Sequence, residues 1–399
     1  MKASNVDNKL QKTDISNSDI VNLCESDELK LNKKRKKKAH VKWHDYLKSV
    51  LFLVGLMIVI GVCDFAFAKE GYVHDILQVL HQGYEVDADG TVSTDTSSDS
   101  GYDTIILGAS HGRSAIDPDK IDFVLGTNTL NVCIPGETVK DSYYLLLEAA
   151  RTNNIENLIL DVDYQYYLGS QDEGYFEEAF IYNQLPWTSY VKWKYILDNM
   201  NNLDFRNAIS KRDVYRHSAS DIKANIVQKF SEDYLKANIY KLDVEDCGGP
   251  YEGKGFFYRL QTDNFYNGFL DDDVFAYDTE VADVSREYFE KIKKFCDENG
   301  INLICVTSPI TPSSYNTLHI VEVHKTMSDF FNSYGVTYID YNMTSQDVLS
   351  RSDSDFVDAE GHMCGVLAER YSALLAQNLS ELKDKDISQI LDEVYGGTD

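Results

Sequence analysis

An α/β fold with a five-stranded parallel sheet and helices on both faces is what this chain predicts from residue 102 onward, where short β-rich apolar runs alternate with segments of helical periodicity. Two further observations shape that prediction. One apolar stretch of membrane-spanning length precedes the sheet, and one interval within it is too long for a simple strand-to-helix connection. With 399 residues and a prior of about 150 per domain, two units or one domain carrying a large insertion are expected.

The five runs are Thr104 to Leu107, Thr129 to Ile134, Asn157 to Val162, Asn302 to Thr307 and Val336 to Asp340, all of strand length and apolar enough to be buried on both faces. Helices are predicted over Asp141 to Arg151, Val284 to Asn299 and Val321 to Ser333, with a last one near Leu367 to Leu382. About 140 residues separate the third run from the fourth, so residues 164–278 are read as an insertion. It is rich in Tyr, Phe, Trp and Asn, helical from Trp187 to Ile239 and Gly-rich from Gly248 to Phe257. Its place suits a lid over the active-site edge and equally an aromatic packing subdomain. The sheet domain is expected to span 102–385, with 386–399 as an acidic tail.

The N-terminal organisation follows from charge and hydropathy. Residues 1–46 are polar and rich in Asn, Ser and Lys, which predicts a disordered tail. A basic cluster from Lys33 to Lys38 precedes an apolar segment from Leu47 to Ala68, long enough for the roughly 20 residues of a spanning helix. Basic residues on that side predict a cytoplasmic N-terminus and an extracytoplasmic body. Ala66-Phe67-Ala68 also has the small-x-small form of a signal peptidase site, but more than forty residues before it are long for a signal peptide. A retained single-pass anchor is preferred. Residues 69–101 read as a short amphipathic helix, Tyr72 to Tyr84, followed by a hairpin and a polar linker.

Charge and cysteine usage exclude several classes. Up to Lys48 there are twelve of the 38 basic and seven of the 65 acidic residues, which leaves the remainder near −32. Such a field repels phosphates and argues against nucleic acid as a partner. The seven cysteines contain no Cys-x-x-Cys pair, and Cys133 and Cys305 sit in apolar runs as small buried hydrophobes, so no disulfide framework is expected. Glu85, Asp87, Asp89 and Gly90 imitate the start of a calcium loop, but the first position is Glu and the closing one is Thr96, so an Asp-Gly turn is preferred and no metal or other cofactor is expected.

In an open parallel sheet the functional crevice lies outside the carboxyl ends of the strands. Leaving the first strand, Gly108-Ala109-Ser110-His111-Gly112 forms a tight turn into a helix. Ser110 there is either an ordinary N-cap or a nucleophile projecting into the crevice. Of nine histidines, His40 and His44 precede the membrane segment, His74 and His81 precede the sheet, His217 lies in the insertion, and His319 and His324 stand in no motif. His111 is adjacent to Ser110 and better placed to line a pocket. His362 follows the fifth strand, just before the last helix, on the same edge as Ser110.

These segments resemble the SGNH/GDSL hydrolase superfamily, and within it the membrane-anchored branch related to DltD and the alginate O-acetylation proteins. Gly108-Ala109-Ser110-His111 is similar to the nucleophile block, Asn131 to Gly136 followed by Asp141 to Leu145 to the second block, and His362 to Ser372 to the terminal histidine block. The resemblance implies a three-layer αβα, flavodoxin-like sheet, Ser110 as nucleophile, His362 as base, and backbone N–H groups of Ser110 and Gly136 as the oxyanion hole. It further implies an O-acyl glycan of the cell envelope or capsule as substrate and a membrane O-acyltransferase of the MBOAT type as partner. The chain departs from the pattern where Asp161-Val162-Asp163 replaces a block carrying an oxyanion-binding Asn, and where Ala359 replaces the acid three residues before the histidine. Asp358 and Glu360 flank that position, and Asp358 is preferred; His111, Asp163 and Glu360 are expected to line the pocket. Catalysis as an esterase or acyltransferase competes with a non-catalytic glycan-binding or scaffold role, which the missing Asn and displaced acid favour.

Overall fold

All five apolar runs form strands, and they join in one parallel sheet. In the computed structural model these are β1 (Thr104–Leu107), β2 (Thr129–Asn131), β3 (Asn157–Asp161), β6 (Asn302–Thr307) and β7 (Thr337–Asp340), in the order β2-β1-β3-β6-β7; β4 (Tyr251–Gly253) and β5 (Phe256–Phe257) make a separate antiparallel hairpin. The structure describes residues 17–69, 71–82, 85–86, 92–93, 101–169, 181–200, 219–242, 250–261 and 280–396. It divides into two units, Met1–Cys63 and Asp64–Asp399.

Side chains alternate across the sheet as the period of two requires. Ile105, Leu107, Leu158, Leu160 and Cys305 enter one core, while Ile106, Ile159, Ile304, Val306 and Ile339 enter the other. The first face is covered by α5 (Val139–Ala149), α10 (Asp283–Asn299) and α11 (Ile320–Ser333), the second by α3 (Ser110–Ala115), α4 (Pro118–Leu125) and α12 (Gly365–Glu381). The predicted α/β architecture with helices on both faces is what forms. With the hairpin set aside, the sheet follows the 2-1-3-4-5 order of one family of doubly wound folds, whose topological switch falls between β1 and β3.

Three parts of the domain scheme are corrected. Residues 17–46, read as disordered, belong to α1 (Asn17–Phe67), because Lys, Leu and Glu are good helix formers and the apolar segment supplies a long helix to extend. Within α1, Lys42–Phe67 is long and apolar enough to cross a membrane, and none of it is buried. The amphipathic helix expected after it forms as α2 (Tyr72–Gln82), but it belongs to the sheet domain, which therefore starts before residue 102: Val73, Ile76, Val79 and Leu80 are buried in that domain's first core. Residues 386–399 are not a plain tail either, since α13 (Ile387–Tyr395) starts with a capping box on Asp386 and buries Ile390 and Val394 in the second core. Replacing Ile390 with alanine is expected to lower the unfolding free energy by about 2–5 kcal/mol, read from the urea midpoint; an unchanged midpoint would return this segment to a tail.

The insertion contributes packing. Among its described residues are α6 (Tyr164–Leu168), α7 (Tyr190–Asp198), α8 (Ile222–Gln228), α9 (Glu232–Leu235) and the hairpin, so the described residues of the predicted helical first part include the short helices α7 to α9. Tyr195 of α7 meets Tyr144 of α5 at 4.7 Å between ring centroids and stacks on Tyr182 at 4.2 Å. The turn of the hairpin docks on edge strand β2, where Asn131 N–H donates to the Lys254 carbonyl at 2.9 Å. That contact covers an otherwise open sheet edge. The short pairing Glu85–Val86 with Val92–Ser93 gives the expected hairpin before the sheet; the rest of the calcium-like loop lies outside the described residues.

Candidate active site

The end of β1 is built around a residue that must be glycine. Gly108 has φ +155°, and a Cβ there would sit 2.7 Å from the Asp161 carbonyl oxygen on β3. The two strands therefore approach closely at their carboxyl ends, and the chain turns directly into α3. Ala109, not Ser110, is the N-cap of that helix and makes no side-chain cap. The N-cap reading of Ser110 is thereby excluded, and its hydroxyl lies 2.7 Å from Nε2 of His362.

His362 and Asp358 are presented together by a tight loop. Phe356 and Met363 form an antiparallel bridge, Val357 N–H donates to the His362 carbonyl at 3.0 Å, and Cys364 N–H donates to the Asp355 carbonyl at 2.9 Å. Inside it, Asp358 Oδ1 accepts N–H bonds from Gly361 at 3.0 Å and His362 at 3.1 Å, while Oδ2 lies 2.7 Å from His362 Nδ1. Gly361 turns at φ +107°, and a Cβ there would meet Ile310 at 2.7 Å. Thr311 and Ser314, following β6, donate to the carbonyls of Asp358 and Ala359 and pin the loop from below. Glu360 stands 4.0 Å from the same imidazole nitrogen and is more exposed. A carboxylate four residues before the histidine thus reaches Nδ1 through the turn, and Glu360 does not bond to it.

Ionisation fixes the hydrogen-bond direction. Burial alone would raise the Asp358 carboxyl, but its bond to His362 and the neighbouring histidine charges hold it below the usual carboxylate range. As an anion it accepts from Nδ1–H, which leaves Nε2 to accept the Ser110 hydroxyl proton. Burial, opposed by the Asp358 bond and reinforced by His111, lowers His362 to about 4.

A second imidazole stands beside the first. His111 Nδ1 lies 2.8 Å from Asp163 Oδ2, and its ring centroid is 4.8 Å from that of His362. Burial opposes its charge, but Asp163, with Asp161 and Asp358 behind it, raises it to about 9. Its Nε2 is buried and has no hydrogen-bond partner among the described residues. Asp163 caps α6 through Gln165 N–H, and against the effect of burial the His111 charge holds its carboxyl below the ordinary range. Asp161, pushed up to about 6 by burial, accepts from Ser308 N–H and Oγ at 3.1 and 2.6 Å. His111 follows β1 and Asp163 follows β3, so the pair bridges the two strands of the switch point.

Gly136, at φ +76°, lies in the loop leaving β2, which stays laced to the turn before Ser110 by Ile134 N–H donating to the Gly108 carbonyl at 3.1 Å. The neighbouring Glu137 is buried, accepts Ile134 N–H at 3.0 Å and Ser142 Oγ–H at 2.5 Å, and burial pushes its carboxyl well up. These bonds tie the start of the loop that carries Gly136 to the first turn of α5. Neither Glu137 nor Arg259 stood out in the sequence. Arg259, just past the hairpin, donates Nε–H to Ser114 Oγ at 2.8 Å, and its charge acts on His362 and Glu360. Nothing in an isolated arginine within the insertion marks it for this edge.

Three other described histidines have structural partners: His81 pairs with Glu148, His74 stacks on Tyr234, and His324 pairs with Asp340. His217 lies outside the described residues. Among the described residues the free cysteines include buried Cys133, Cys296 and Cys305, and no group of three potential ligands suits a metal ion. A cavity lined by Thr104, Asn157, Asn302 and Thr337 lies at the amino ends of the strands, opposite the Ser110 edge. Comparison of the chain with protein-family models and with curated proteins gives no match.

Chemically, the edge holds a hydroxyl, a neutral imidazole that accepts its proton, a carboxylate that orients the imidazole, and a cationic second imidazole. That set is suited to nucleophilic attack at a carbonyl.

Proposed function

We propose that this chain is an extracytoplasmic serine esterase or O-acyltransferase of the SGNH type, acting on O-acyl groups of a cell-envelope or capsular polysaccharide. The observation that carries the reading is the continuous relay from Ser110 Oγ through His362 to Asp358, at 2.7 Å in each step, on the carboxyl edge of a parallel sheet. His362 Nε2 takes the Ser110 proton as Oγ bonds to the ester carbonyl carbon. The carbonyl electron pair moves to oxygen, the tetrahedral intermediate collapses, and the departing alkoxide takes the proton from His362. Water or a sugar hydroxyl then attacks the acyl-serine as His362 accepts its proton, and as the acyl–Oγ bond breaks His362 returns that proton to Ser110.

Backbone N–H groups of Ser110 and Gly136 serve the oxyanion, and the Nε2–H of cationic His111, oriented by Asp163 and without a partner among the described residues, supplies the third donor in place of the missing asparagine. The polysaccharide class, the N-terminus-inside orientation and a partner of the MBOAT type extend this reading through the resemblance in the nucleophile and histidine blocks and through the basic cluster before α1.

A fluorophosphonate probe on the full-length protein tests the assignment. Labelling of the wild type that disappears in Ser110→Ala is expected. A folded wild type that takes no label would favour the scaffold role, which the replacement of the asparagine block by Asp161 and Asp163 supports.

A further inference from the structure

The last turn of α1, from Asp64, belongs to the same unit as the sheet. Phe67 ends α1, Ala68 is already 3% exposed, and α2 starts at Tyr72. Two side chains of α8 and its following turn hold this junction: Asn225 Nδ2–H donates to the Phe67 carbonyl at 2.9 Å, and the Lys229 ammonium donates to the Ala68 carbonyl and lies 5.5 Å from the Phe65 ring centroid. Around it the surface is apolar and open. Phe65, Val227, Phe230 and Leu235 are 43%, 61%, 71% and 61% exposed, and Phe230 meets Phe65 edge-on at 5.9 Å.

Helix length places this patch. A hydrocarbon core takes roughly 20 helical residues, and counting back from Phe67 that span reaches Lys48, the last charged residue before the apolar run. Phe65 and Phe67 therefore fall at the boundary between acyl chains and headgroups, and groups bonded to the Phe67 and Ala68 carbonyls fall there too. Charge points the same way. The body is strongly acidic, yet Ile222 to Lys241 carries three exposed lysines (Lys223, Lys236, Lys241), besides buried Lys229, against Glu232 and Asp233. Aromatic side chains flanked by lysines are what a headgroup layer attracts.

We propose that the α8–α9 segment of the insertion, through Val227, Phe230 and Leu235, docks on the phospholipid surface from which the body emerges. The docking rests on α1 as a membrane anchor and is independent of the catalytic reading. Its test uses full-length protein in vesicles of phosphatidylethanolamine and phosphatidylglycerol, with p-benzoylphenylalanine placed at Phe230 or, as a control, at Phe123, which is 91% exposed on α4. Both positions are exposed, so folding is preserved. Roughly tenfold more lipid photoadduct at position 230 than at 123 is expected for an interfacial site against a solvent one. Equal adduct at both positions, or adduct at 230 to a second copy of the chain instead of lipid, would overturn the docking. Release of the unmodified protein by alkaline carbonate would overturn the anchor, and the docking with it.

Discussion

Replacing His362 with alanine is expected to lower kcat/KM for p-nitrophenyl acetate on the order of 10⁴-fold or more, because no other described group bonds to the Ser110 hydroxyl in its place. The neighbouring carboxylates should separate sharply. Asp358→Asn keeps the shape of the loop but offers an amide to Nδ1, which favours the wrong tautomer and leaves the developing imidazolium unpaired. A loss on the order of 10³- to 10⁴-fold follows. Glu360→Gln should cost less than about threefold, since its carboxylate is 4.0 Å from Nδ1 and its influence is that of an exposed charge. The pH profile sharpens the test. His362 acts as a base only when neutral, and burial lowers it to about 4, so activity should rise through about pH 4 and be complete well below neutrality. An acid limb near the ordinary histidine range, or equal losses in the two carboxylate variants, would sink the assigned relay.

The strands were legible because a parallel sheet buried on both faces demands unbroken apolar runs, and Asn302 to Thr307 begins and ends as its pattern indicates. Boundaries shifted where tertiary contacts intervene: β2 stops at Asn131, whose N–H is taken by Lys254 of the hairpin and whose side chain bonds across to Gly112 and Ile116. The ends of the chain were misread for a common reason. Composition marks 17–46 and 386–399 as polar, but a helix needs only good formers with a neighbour to extend, or two apolar residues on one face, as Ile390 and Val394 provide. In the site, Ser110, His111, Asp163, Asp358 and His362 were all visible as residues, and strand order brings them to one edge. The pairing of His111 with Asp163 was not visible. It joins the ends of β1 and β3, and no local pattern reveals which side chains face each other across a strand junction. Arg259 and Glu137 were hidden likewise, one by distance along the chain and the other by being a buried acid in an unremarkable loop.

That pairing leads to the second large effect. Loss of the His111 cation, by His111→Gln or Asp163→Asn, is expected to lower kcat by roughly 10²- to 10³-fold with little change in KM, the cost of one oxyanion donor. A fixed donor to the oxyanion acts on the transition state rather than on the bound ester, so the loss falls on kcat. The wild type should lose activity as pH rises through about 9, where His111 gives up its proton, and His111→Gln should lack that limb. Because the His111 charge also depresses His362, the acid limb in either variant should move up from about pH 4. Linkage gives a companion readout with a definite sign. A histidine raised from 6.5 to about 9 contributes stability that is full below pH 6.5 and lost as pH rises through 9, so wild type should outlast His111→Gln in urea at pH 6 by more than at pH 10. A purely structural His111 would reproduce that stability difference, and its charge alone would move the acid limb, but it would put no limb near 9 on kcat; an alkaline limb present in wild type and absent from His111→Gln is therefore the outcome that assigns the imidazolium to the reacting carbonyl.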